Sequence, residues 1–109
     1  MVINKPAGLV VQGDLTGDIH LLDLAERYIA EKYKKPGKAY VGLVHRLDRP
    51  VSGVVIMAKT SKALTRMNEI FRDKKNTKIY HAITTKALPN EEGTLTHHLL
   101  KNSETKRAH

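Results

Sequence analysis

A chain of 109 residues, 40% of them hydrophobic, is one domain or part of one, with enough apolar material for a core. No cysteine is present, which excludes disulfides and thiol catalysis. Neither a signal peptide nor the roughly 18 apolar residues of a membrane span occurs, so a cytoplasmic location is the default. The net charge of +8 and pI near 9.8 favour a polyanionic partner, most often nucleic acid, without separating RNA from DNA or anionic lipid.

Met1 to Val11 reads as the tail of a strand, a turn at Pro6 to Gly8 and a second short strand. More strand is expected before Val2, so the start reads as cut. Gln12 to Asp18, with Gly13, Asp14, Thr16 and Gly17, is a loop by composition. Leu21, Leu24, Ala25, Tyr28 and Ile29 recur at helical spacing and predict a helix from about Ile19 to Tyr33, with Tyr28 in the core. Thr16 or Asp18 would cap it, and Lys34-Lys35-Pro36-Gly37 would stop it.

Val41, Leu43 and Val44 read as the end of a strand, and Gly53 to Ala58 as a fully buried one. Between them Arg49-Pro50 forces an extended or turn conformation. Thr60 or Ser61 caps a second helix, striped by Ala63, Leu64, Met67, Ile70 and Phe71, that runs to about Lys74 or Lys75, where its basic end complements the helix dipole. Lys78 to Thr85 alternates as a strand does: Ile79, His81 and Ile83 share one side, and Lys78, Tyr80, Ala82 and Thr84 the other. A turn over Leu88 to Gly93, a short strand from Thr94 to Leu100 and a polar run from Lys101 to His109 complete the chain. This order of elements argues for α+β or α/β, with the helices packed on a sheet.

The chemistry concentrates at Val44-His45-Arg46-Leu47-Asp48-Arg49-Pro50-Val51-Ser52-Gly53. Asp48 stands between two guanidiniums at a bend between two pieces of core. Nearby positive charge favours the ionised carboxylate, and an extended approach to the bend puts Arg46 and Asp48 on one face. The pattern suits a nucleophile or general base acting on a polyanion, with Arg46 and Arg49 holding phosphates. By spacing alone it equally suits a structural ion pair that fixes the turn.

Other residues signal less. Tyr80 could stack on a base or simply pack. His97 and His98 would face opposite ways on a strand, and no histidine spacing makes a metal set. Lys5-Pro6-Ala7-Gly8 is too short to cradle a phosphate. Ser52, His45 and Asp48 lack the G-x-S-x-G elbow of a hydrolase.

Asn4-Lys5-Pro6-Ala7-Gly8-Leu9, the Val44 to Gly53 stretch, Ala58-Lys59-Thr60 and Lys78-Ile79-Tyr80 together closely resemble the RluA-type RNA pseudouridine synthases, in the family's order and over nearly the whole chain. The resemblance implies an α+β fold with a mixed, largely antiparallel sheet and helices packed on it. It implies isomerisation of uridine to pseudouridine in rRNA or tRNA, without cofactor or metal. Asp48 would be the catalytic aspartate, adding at C1′ or taking the 2′ proton. Arg46 matches the arginine that helps displace the target nucleotide, and Tyr80 the tyrosine that lies against the base. Arg49 is a candidate phosphate contact. Pro50-Val51 departs from the common pattern but leaves Asp48 and Ser52-Gly53 intact.

No match follows Tyr80 for the family's later segment, which carries a basic partner of the aspartate, and neither the upstream strand nor an S4-like domain is found. Residues 1–109 are therefore expected to be the front part of a catalytic domain, inactive alone. A basic RNA-binding module without activity is the alternative.

Overall fold

Five elements form in a computed structural model that describes residues 1–13 and 17–100: β1 (Val2–Lys5), α1 (Leu21–Lys32), β2 (Gly42–Leu43), β3 (Gly53–Ala58) and α2 (Ser61–Arg72). The chain divides into two units, Met1–Lys78 and Ile79–His109, and all five elements lie in the first. The architecture is α+β.

The sheet has the order β1-β3-β2, and β3 runs antiparallel to both neighbours. Val2 stands opposite Ile56 on one side, and Leu43 opposite Met57 on the other. A central strand rich in β-branched residues suits this position. The expectation of full burial is corrected at one end. Val55 and Met57 are completely buried, whereas the two-residue period turns Val54 to the other face and leaves it 57% exposed. Val44, expected at the end of β2, lies beyond it.

Helix α1 buries Leu21, Ala25 and Ile29, one residue per turn, against Val11, Ala39, Val41, Val55 and Met57. Tyr28 is half exposed rather than in the core; its hydroxyl accepts from the Lys32 ammonium at 3.1 Å. Leu22 and Ala30 are partly buried against the same core, and Leu24, like Tyr28, is exposed. The N-cap is His20, whose Nδ1 accepts from the Asp23 amide at 3.3 Å. Asp18 lies outside the helix, and Thr16 lies outside the described residues. Residues 9–11, expected as a strand, serve the helix instead: the carbonyls of Val10 and Val11 accept the Leu21 and Leu22 amides, two of the donors that a helix start leaves without partners. Helix α2 begins at the expected Thr60 cap, ends at Arg72 and packs on β3 and β2, with Phe71 half-buried.

The second unit is irregular over residues 79–100. Neither Lys78 to Thr85 nor Thr94 to Leu100 forms a strand, a correction to the reading from alternation. Ile79, Ile83 and Leu95 are 80%, 103% and 84% exposed. Alternation supplies a face but no partner, and a strand forms only where a neighbour takes its backbone groups. Among the described residues, no helix is long and apolar enough to cross a membrane.

Candidate active site

The site is built where the end of β1 meets the loop between β2 and β3. Alternation along β1 sends Ile3 and Lys5 inward, and Lys5 is completely buried. Its ammonium donates to three carbonyls: Leu9 at 2.7 Å, Pro6 at 3.0 Å and Arg49 at 3.4 Å. Gly8, at φ +88°, donates its amide to the same Arg49 carbonyl at 2.7 Å. That left-handed φ is open to glycine at no steric cost. Two segments some forty residues apart in sequence are thereby tied at one oxygen.

The Asp48 carbonyl accepts the Val51 amide at 3.0 Å and closes a turn with Arg49 and Pro50 at its corners. Leu47 is half-buried and packs against the core, whereas Arg46 and Asp48 on either side of it are exposed. Gly53, at φ +137°, brings the chain into β3; a side chain there meets only ordinary contact with Leu47, so the constraint is conformational.

The charges do not pair as neighbours in sequence. Arg49 reaches Asp18, in the loop before α1, at 2.7 Å between Nη2 and Oδ2. Among the described residues the Asp48 carboxylate makes no ion pair or hydrogen bond. The turn is held instead by the Lys5 ammonium, the Gly8 amide and its own backbone bond.

His45 is half-buried. Its Nε2 accepts the Ile56 amide of β3 at 3.1 Å, and its ring stacks on Phe71 of α2 with centroids 5.1 Å apart and planes 17° apart. Burial holds its pKa below the usual histidine value, and the Lys78 charge pushes the same way, against a raising backbone hydrogen bond with Arg46.

Arg46, Asp48 and Arg49 thus share one loop of the first unit. Tyr80 belongs to the second unit, where it is 64% exposed on an irregular stretch. Sequence reasoning passed over Lys5 and the backbone bond of His45. The first had a signal: Lys5 shares parity with Ile3 on β1, so the strand that buries one aims the other inward.

A family model described as RNA pseudouridylate synthase matches residues 1–109. The chain belongs to the RNA pseudouridylate synthase family. It is 32% identical over 101 residues to the ribosomal large subunit pseudouridine synthase C of Buchnera aphidicola (subspecies Acyrthosiphon pisum), covering 93% of this chain and 30% of the relative. It is 38% identical over 84 residues to the ribosomal large subunit pseudouridine synthase D of Yersinia pestis, covering 76% of this chain and 25% of that one. Among solved structures, human RNA pseudouridylate synthase domain containing 4 superposes with a TM-score of 0.55 at 30% identity, over 68% of this chain and 26% of the other. The chain therefore spans about a third or less of the length of these relatives.

Proposed function

We propose that the protein carrying this chain is an RNA pseudouridine synthase, acting on uridine in structured rRNA or tRNA. Membership of the family supports the reaction class. The observation that carries the assignment to a residue is the exposed Asp48 carboxylate, on a turn pinned from the β1 side by Lys5 and Gly8 and uncommitted among the described residues. A nucleophile or base must be presented to substrate and held by its surroundings, and this loop meets both needs.

In the reaction the N1–C1′ glycosidic bond breaks, the uracil turns while bound, and C5 bonds to C1′ as its proton departs. Asp48 acts on the ribose, either adding at C1′ or taking the 2′ proton. The base must leave its stack before it reacts. Exposed Arg46, one residue removed from Asp48, is suited to occupy the space the nucleotide vacates or to hold its phosphate. Tyr80 lies against the base in this reading. Arg49 contributes a phosphate contact while its Asp18 bond steadies the loop. The names of the two bacterial relatives, both ribosomal large subunit enzymes, favour rRNA over tRNA as the first substrate to examine.

The test is pseudouridine mapping across rRNA and tRNA from a strain lacking the gene. The strain should lose one or more pseudouridines, regain them with the wild-type gene and not with Asp48→Asn. A deletion strain with an unchanged map, or full rescue by Asp48→Asn, would remove the assignment.

A further inference from the structure

We propose that His45 is a positioning residue for the Asp48 loop, its imidazole standing in for the backbone acceptor that β3 loses where β2 ends. Met1 and Met57 exchange both backbone bonds, at 2.8 and 2.9 Å, so the polar groups of Met57 face β1. In an antiparallel strand those of the next residue, Ile56, face the other way, towards β2. The register on that side pairs Gly42 with Ala58 and Leu43 with Met57. One step further would put Val44 opposite Ile56, with the Val44 carbonyl accepting the Ile56 amide. The strand stops at Leu43, and the chain departs towards Asp48.

That departure leaves a central-strand amide to be satisfied, and His45 Nε2 takes it at 3.1 Å. An acceptor at Nε2 requires the neutral ring with its proton on Nδ1. The Phe71 ring, stacked at 5.1 Å, holds the imidazole from the side of α2. His45 is three residues from Asp48, with half-buried Leu47 between them as a second anchor. The bond therefore sets where the loop leaves the sheet and so where the carboxylate is presented. On this arrangement protonation converts Nε2 from acceptor to donor, opposes it to the Ile56 N–H and releases the loop. The charged group facing the ring is Lys78, after α2; β3 and α2 present Ile56 and Phe71, which do not titrate. Both that charge and burial favour the neutral ring the bond needs.

This inference rests on the pseudouridine synthase reading, and the experiment separates the two. In the full-length protein, the His45 ring nitrogens and the Ile56 amide are followed by NMR and hydrogen exchange, beside steady-state turnover on RNA. The expected ring is the Nδ1–H tautomer at neutral pH. His45→Phe keeps the stack and removes the acceptor: Ile56 exchange accelerates and kcat falls about tenfold, the scale of one unsatisfied, partly buried donor, with KM little changed. His45→Gln restores an uncharged acceptor, recovers most of kcat and removes the acid limb of the pH profile. An Nε2–H tautomer, a His45→Phe enzyme with unchanged kcat, or a His45→Gln enzyme as impaired as His45→Phe would each overturn the proposal while leaving wild-type activity standing. A wild-type protein that forms no pseudouridine overturns the enzymatic reading and the positioning role with it.

Discussion

Burying an ammonium group is expensive unless its protons find acceptors. Among the described residues Lys5 meets the need with three carbonyls and no carboxylate, which makes a surface-type residue into a backbone cross-link between β1 and the Asp48 turn. Lys5→Met removes the donors and takes the ammonium from the part-buried Pro6 and Leu9 carbonyls, while the Arg49 carbonyl keeps the Gly8 amide. It should cost about 3 kcal/mol, read as a lower unfolding temperature, with faster hydrogen exchange at Gly8 and Val51. Unchanged stability would show that the cross-link is dispensable.

His45 adds a pH dependence whose sign follows from its shift. Its folded pKa lies below 6.5, the ordinary histidine value that the unfolded chain keeps. The stability it contributes is present above pH 6.5 and is lost as pH falls from there through the folded value. The unfolding temperature should drop over that range, and His45→Gln should lack this component. At this scale the sequence marked Asp48, Arg46 and Arg49 by their adjacency, but not their partners. Arg49 bonds Asp18 across 31 positions, and no local pattern encodes that reach.

Among elements, both helices were legible because periodicity is local, and the Thr60 cap of α2 was too, whereas α1 is capped by His20 and not by Thr16 or Asp18. Their ends were less so. Each closes with a lysine in the left-handed region, Lys34 at φ 49° and Lys74 at φ 53°, and with the following lysine amide bonded back to the helix: Lys35 to Ala30 and Lys75 to Ile70. This is the Schellman arrangement, in which glycine is usual. Lys74→Gly should relieve backbone strain and, set against some loss of favourable charge at the dipole, stabilise by about 0.5–1 kcal/mol. A thermal shift upwards bears on this directly, and a downward shift would show that the lysine charge dominates. The stretch from Lys78 to Thr85 misled because alternation describes a face, while strand formation is decided by pairing that lies elsewhere in sequence. The same limit explains Leu9 to Val11, where the Val10 and Val11 carbonyls cap α1 and the Leu9 carbonyl takes the Lys5 ammonium rather than joining a sheet.

For the molecule as a whole, the chain covers 30% of the length of the Buchnera relative, and its second unit exposes Ile79, Ile83 and Leu95. Exposed apolar residues in such number mark surface that another part of a protein would cover. A 109-residue polypeptide of this sequence, expressed by itself, should bind RNA through its +8 charge in a strongly salt-dependent manner, yet turn over poorly. Robust pseudouridine formation by it would show that these 109 residues suffice for the reaction.

We propose that Asp48 performs the chemistry. Release of tritium from RNA containing uridine labelled at C5 measures the bond change itself, and filter binding on the same samples measures RNA affinity. Full-length Asp48→Asn should lose turnover on the order of a thousandfold or more, with RNA affinity close to wild type. Tritium release at the wild-type rate from that variant would contradict it.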